Sequence, residues 1–338
     1  MNTINPVGAS AWAGNVSPGH SLSVTVAAFL AEKVAELSPY SVAHLRASLT
    51  ALCRSLDDPP VLEVTYTDLR GYVDGLYLRY RPGTIKPIVG DIRQFFRWAK
   101  KRRHVERNPA KRLKPPRRRV DGESRAAPEA DVRLVLDYLA GRLSRVVWRD
   151  LFGNLCAMPP DDWSYEERQT ARDLFILSFL YETGGRAGEL WRLGVVSMGS
   201  AIAAPGPVYC VVSTGKTGDT VLRFTSATAE LWSVWKGVHP GGEFAVAGWR
   251  PDCEPSPMTT QAISLMLARQ CDRAGVNRFR AHALRHAKIR RGKGSVGLET
   301  TSRLVGHGSA VVTAGYASAG EDELNAAALA TGLTRRLW

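Results

Sequence analysis

The sequence predicts a mainly α fold with one small β-hairpin, arranged as two domains. Three observations carry this expectation. The chain has 338 residues, more than one hydrophobic core usually serves. Apolar residues recur at helical spacing over most of its length, and two-residue alternation is confined to residues 208–224. A basic run interrupted by prolines, Lys100 to Arg119, separates the two helical parts.

Residues 1–20 are rich in Gly, Ser, Asn and Pro and read as a mobile arm. Val26, Phe29, Leu30, Val34 and Leu37 then share one helical face, and Val42, Leu45, Leu49, Leu52 and Leu56 share another. After the Pro59-Pro60 break, Thr67 is a candidate cap for a helix carrying Leu69, Tyr72, Val73 and Leu76. A fourth helix carries Ile85, Ile88, Val89, Ile92, Phe95 and Phe96, with Pro87 in its first turn or kinking it. These four make a small bundle over residues 21–110. Residues 111–127 read as a basic linker, and 128–338 as a second domain.

That second domain opens on a helix with Val132, Val135, Leu136 and Leu139. Residues 142–172 give no assignable pattern. Leu174 to Leu193 reads as a buried helix, a Gly turn and a second helix opening near Arg186. Val208–Val212 and Val221–Phe224 alternate as strands flanking the turn residues Ser213 to Asp219. Beyond Thr260 the pattern is helical, ending in Glu321 to Trp338 with Leu324, Ala327, Ala328, Leu329, Leu333 and Leu337.

A formal net charge of +13 and a pI near 9.8 point to a polyanionic partner, nucleic acid before a membrane surface, because no basic amphipathic helix with large apolar residues accompanies the charge. Between Lys100 and Arg119 stand eleven Lys or Arg against Glu106 alone. Such a run repels itself unless phosphates neutralise it. Lys100, Lys101, Arg102, Arg103, Lys111, Arg112, Lys114, Arg117, Arg118 and Arg119 are therefore candidate DNA contacts. The five cysteines lack metal-ligand spacing and read as reduced, mostly buried thiols. No signal peptide and no membrane-length apolar run is evident, so a cytoplasmic location beside bacterial DNA is expected. No metal or other cofactor is expected.

The chemistry-bearing residues are separated but ordered. Gly185-Arg186-Ala187-Gly188-Glu189-Leu190 comes first, His282-Ala283-Leu284-Arg285-His286 about a hundred residues later, then Gly306-His307, and Tyr316 nine residues on. Two guanidinium forks can grip phosphate oxygens, Glu189 can hold Arg186, and a phenol can attack a phosphodiester and form a covalent phosphotyrosine without metal. His282 and Arg285, three residues apart, share a helix face. Each histidine alone is more often a satisfied core residue, and Arg186–Glu189 alone is as often a surface ion pair. The ordered set outweighs those readings.

In motif order and spacing the chain, from about residue 21 to its end, resembles the tyrosine recombinase (phage integrase) family. The resemblance implies a SAM-like core-binding helical domain followed by a mixed α/β catalytic domain. It implies Arg186, Lys216, His282, Arg285, His307 and Tyr316 as the catalytic set, with Lys216 protonating the departing 5′ oxygen. It also implies a homo-tetramer on paired double-stranded DNA sites, a Holliday-junction intermediate, and a C-terminal helix that docks on a neighbouring protomer. About twenty residues precede the first helix, fewer than the family's arm-site DNA-binding domain needs, which favours a Xer-like or mobile-element type acting on simple core sites. The alternatives are a type IB topoisomerase-like relaxase and a catalytically silent DNA-binding regulator. Two features depart from the family pattern: the 142–172 segment, and the basic cluster Lys288, Arg290, Arg291 and Lys293 around Gly292, where extra phosphate contacts are the expectation.

Overall fold

A computed structural model describes residues 19–116, 126–151, 153–203, 208–215, 218–250, 253–306 and 321–332. The chain forms two compact units, residues 1–122 and 123–338.

In the first unit four helices enclose one core: α1 (Leu22–Glu36), α2 (Pro39–Ser55), α3 (Tyr66–Tyr77) and α4 (Pro82–Lys101). Ser21 and Ser38 cap α1 and α2 by accepting from Val24 N and Ser41 N. The cap of α3 is Thr65, two residues before the expected Thr67. Asp68 at the third helical position returns a bond to Thr65 N at 2.8 Å while Thr65 Oγ1 accepts from Asp68 N, a reciprocal box that Thr67 has no partner to form. Pro82 opens α4, and Pro87 lies within it. Phe29, Phe95 and Trp98 pack together, with ring centroids 5.3–6.2 Å apart. Val34, expected on the buried face of α1, is 59% exposed. A short 3-10 turn, Pro109–Arg112, follows, and Ala110 and Leu113 are buried in the same core. The packed part of the first unit thus runs into the segment read from sequence as linker.

The second unit is built around α6 (Tyr165–Thr183), whose residues from Thr170 to Thr183 are all buried. Against it pack α5 (Glu129–Leu143), α9 (Ser226–Gly237) and α11 (Ala281–Ser295). Short helices α7 (Ala187–Leu190) and α8 (Val195–Ala203) follow α6, and α10 (Thr260–Arg273), α12 (Leu298–Leu304) and a C-terminal α13 (Glu321–Thr331) complete the helical part. Three antiparallel strand pairs are present among the described residues: β1 (Val147–Arg149) with β2 (Leu155–Ala157), β3 (Val208–Gly215) with β4 (Gly218–Thr225), and β5 (Ala247–Arg250) with β6 (Cys253–Pro257).

The unassigned segment 142–172 is structured. It holds the β1–β2 hairpin, a 3-10 turn at Pro160–Asp162 and the first turns of α6, which starts nine residues before the apolar run that signalled it. Val146, Val147 and Trp163 are buried in the unit's core, and Arg149 pairs with Glu230 of α9. The cysteines are free, but only Cys53 and Cys271 are buried, while Cys210 and Cys253 are exposed. Among the described residues no helix is long and apolar enough to cross a membrane, and no His, Cys, Asp or Glu cluster suits a metal.

Candidate active site

The turn that presents Arg186 is fixed by its glycines. Gly184 terminates α6 at φ +66°, in the left-handed region that favours glycine. A Cβ there would also come within 3.0 Å of Lys288 Cγ and Val305 Cγ1. Gly185 N donates to Thr183 Oγ1 at 3.0 Å. The chain then turns into α7 with Arg186 at its N-cap. Glu189, 2% exposed, accepts from Arg186 N at 2.7 Å and from Arg186 Nη1 at 2.6 Å, so one carboxylate fixes both the backbone and the fork of this arginine. The Glu189 carbonyl in turn accepts from Ser213 Oγ of β3 at 2.7 Å. Arg186 itself keeps a 42% exposed side chain.

Arg285, from α11, is 2% exposed and donates through Nη1 to the Gly184 carbonyl at 2.8 Å, while its Nη2 is buried without a partner among the described residues. Burial, and next the charge of Arg186, lower its pKa to about 10, so it remains a cation at neutral pH. Arg186, His282 and Arg285 line one open cavity of about 790 Å³ between the Arg186 turn, the start of α10 and the start of α11. His282 is exposed at its rim, and its ring stands edge-on to that of His286, 4.6 Å away. Burial first, then His282 and Arg285, hold the pKa of His286 below the usual histidine value.

Lys216, His307 and Tyr316 lie outside the described residues, but the chain on either side is placed. The hairpin register closes on Gly215 opposite Gly218, so the strands run further toward Lys216 than the sequence pattern indicated. Gly306, immediately before His307, has φ +64° and sits so close to β4 that a Cβ would fall 2.6 Å from Thr220 Cγ2. The described parts of these motifs lie together: Gly184 lies against Val305 and Lys288 of α11, and Gly306 against Thr220 of the hairpin.

The basic cluster on α11 does not face outward as a set. Lys288 is 1% exposed and donates to Thr331 O at 3.1 Å and Thr331 Oγ1 at 2.5 Å of α13. Arg291 donates to Tyr181 O at 2.9 Å and stacks 3.8 Å from that ring. Gly292 lets α12 approach, since a Cβ there would meet Thr301 Cγ2 at 2.7 Å. Only Arg290 and Lys293 of the four cations are exposed, so extra phosphate contacts from Lys288 and Arg291 are not supported. Sequence reasoning also missed Arg278 and Arg280, which line the same cavity as Arg285. Their nearness to the histidine motif was the available signal.

In the first unit Lys100, Lys101, Arg102, Arg103, Lys111, Arg112 and Lys114 are all exposed, and Arg102 pairs with Glu32 at 2.9 Å. Arg117, Arg118 and Arg119 lie outside the described residues.

Residues 160–322 match the phage integrase family. That segment, nearly half of the chain, belongs to that family, the tyrosine recombinases. The chain is a tyrosine site-specific recombinase with the mainly helical fold expected. Solved structures share that fold at low identity. A lambda integrase (75-356) dimer bound to a COC′ core site aligns with TM-score 0.62 at 16% identity, covering 89% of this chain and 99% of that one. A lambda integrase tetramer bound to a Holliday junction gives 0.62 and 16%, covering 94% and 84%. XerH site-specific recombinase in a post-cleavage complex with palindromic difH substrate gives 0.60 and 14%, covering 92% of each chain. No curated protein sequence matches the recombinase significantly.

Proposed function

We propose that this recombinase cuts and rejoins DNA through a 3′-phosphotyrosyl intermediate and a Holliday junction, in integration, excision or resolution of a mobile element or replicon. The observation that carries the reading is the pair of guanidiniums at one cavity: Arg186 held by Glu189, and Arg285 buried with Nη2 unpartnered. A buried donor without an acceptor is costly, and a phosphate oxygen would satisfy it.

In the proposed reaction Tyr316 Oη attacks the scissile phosphorus, the P–O5′ bond breaks, and the phosphate becomes linked to the enzyme. His282 takes up the phenol proton, and Lys216 gives a proton to the departing 5′ oxygen. Arg186, Arg285 and His307 stabilise the charge on the non-bridging oxygens. Attack by the 5′-hydroxyl of a partner strand reverses these steps and restores the phenol. The link conserves the phosphodiester energy, so no nucleotide cofactor is required. The exposed cations Lys100, Lys101, Arg103, Lys111, Arg112 and Lys114, with Arg117, Arg118 and Arg119, are proposed to contact the duplex backbone. Assembly as a tetramer follows the lambda integrase complex on a Holliday junction. α13 packs on its own unit through Ala327, Ala328 and Thr331, and the C-terminal segment Glu321 to Trp338 is proposed to dock on a neighbouring protomer.

Nicked suicide substrates drawn from the DNA flanking the gene test the reading. The wild-type chain is expected to form an adduct that survives denaturation, and Tyr316→Phe to form none. An adduct of undiminished yield in the variant would rule out Tyr316 as nucleophile. Arg186→Ala and Arg285→Ala are each expected to lower adduct formation by at least about a hundredfold, as loss of one charge-stabilising donor does elsewhere.

A further inference from the structure

The inner face of α11 carries three cations at helical spacing, Arg285, Lys288 and Arg291. Arg285 has a place in the proposed reaction, and Lys288 fastens α13. Arg291 does neither. Its guanidinium donates through Nη2 to the Tyr181 carbonyl at 2.9 Å, with Cζ 3.8 Å from the centre of the Tyr181 ring. Its Nε is buried without a hydrogen-bond partner among the described residues. Tyr181 is itself 2% exposed, and its hydroxyl donates to Glu129 at the start of α5.

As packing alone this is an unfavourable choice. Desolvation lowers the Arg291 pKa, with Tyr181, Glu129 and Glu182 opposing, and the unpaired Nε adds a cost of its own. A Leu or Met would cover the Tyr181 ring without either penalty. Only a donor supplies a directed bond to the Tyr181 carbonyl. The last carbonyls of a helix have no partner within it, and in α6 two of them are taken by α11: Tyr181 O by Arg291, and Gly184 O by Arg285 at 2.8 Å. Between these bonds Lys288 lies against Gly184, where an added Cβ would stand 3.0 Å from Lys288 Cγ. Two guanidiniums six residues apart, about 9 Å along a helix axis, therefore hold the end of α6 at two points. The Gly184 carbonyl is the only acceptor that Arg285 has among the described residues, and Gly184 also opens the turn that presents Arg186.

We propose that Arg291 is a positioning residue for strand cleavage: by pinning the Tyr181 carbonyl it fixes the last turn of α6, and so sets both the aim of the Arg285 fork and the placing of Arg186. The inference rests on the recombinase reading of the cavity and adds to it the support of its two arginines. Arg291 does not line that cavity. It acts through the backbone of α6.

The test compares the full chain with Arg291→Met and Arg291→Lys in single-turnover adduct formation at saturating suicide substrate, with duplex affinity, its salt slope and thermal melting measured alongside. Arg291→Met is expected to slow adduct formation about ten- to a hundredfold, the scale of a small misplacement of reacting groups, at unchanged affinity and slope. Arg291→Lys, which keeps a donor for the carbonyl, is expected to recover part of that loss. A second substrate carries a methylphosphonate at the scissile position, where a methyl group replaces one non-bridging oxygen and removes its charge. The two guanidiniums then have less charge to stabilise, so the gap between wild type and Arg291→Met is expected to narrow. A wild-type rate in Arg291→Met overturns the proposal, as does a gap of the same size on both substrates, which indicates a general loss of structure. A smaller salt slope overturns it too, since it places Arg291 on DNA. If Arg291→Met melts below the assay temperature, the comparison is read from Arg291→Lys, and a wild-type rate there is the overturning result. Absence of adduct with the wild-type chain overturns the strand-cleavage reading and this one with it, whereas wild-type adduct matched by both variants counts against Arg291 alone.

Discussion

Lys288 follows the histidine motif by two residues and looks like one more DNA-facing cation, yet it is sealed beneath α13. Burial, and next the charge of Arg291, lower its pKa to about 7, with Glu182 opposing. The unfolded chain holds that proton up to the ordinary lysine value near pH 10.4, so between these limits the unfolded state binds more protons than the folded one. Stability contributed by this site is therefore fully present above about pH 10.4 and is lost as pH falls through about 7, a swing of roughly 5 kcal/mol at most. Lys288→Met, which keeps the volume and removes the charge, is expected to raise the melting temperature at pH 6 and to flatten the rise of stability from pH 7 to 10. Denaturant titrations of both proteins across that range check the sign. A wild-type curve with the same slope as the variant's would show that the amine is solvated.

The elements legible in the sequence were those whose apolar spacing persists for three turns or more, such as α1, α2, α4 and α5. The strands β1 and β2, three residues each, carry too little pattern to read, and β6 includes Pro255 and Pro257, which argue against a strand when read alone. The early start of α6 was hidden because its first turn is polar; its signal was the Ser164–Glu167 capping box. At the site, Arg186, Glu189, His282 and Arg285 were legible because their order is chemical. The inward turn of Lys288 and Arg291 was not, because charge alone does not reveal which helix face is covered. Gly292 belongs to the same lesson: it reads as a helix breaker and serves instead as the contact between α11 and α12. Gly292→Ala is expected to destabilise the chain by roughly 1–3 kcal/mol through overpacking against Thr301 and to lower adduct formation as well. A variant of wild-type stability would show that the contact yields without cost.

At the scale of the whole molecule, the two units present basic character differently. In the first unit the charge is on exposed side chains of the α4 end and the 3-10 turn; in the second, several arginines line a single cavity. The first kind supplies affinity that depends on salt and ignores sequence. Changing Lys100, Lys101, Lys111 and Lys114 together to glutamine is expected to reduce the salt slope of duplex binding by about 3 to 4 units without altering the yield of covalent adduct at saturating DNA. A loss of adduct at saturation would show that these lysines also serve the cleavage step.

The close fit of Gly292 against Thr301 has a mechanical corollary. With no side chain between them, α11 and α12 touch directly, so the helix bearing the buried guanidinium of Arg285 is coupled to the helix that ends just before Gly306. Under the proposed chemistry, a shift of α11 on DNA entry is expected to be passed through this contact to α12 and the chain that leads to His307.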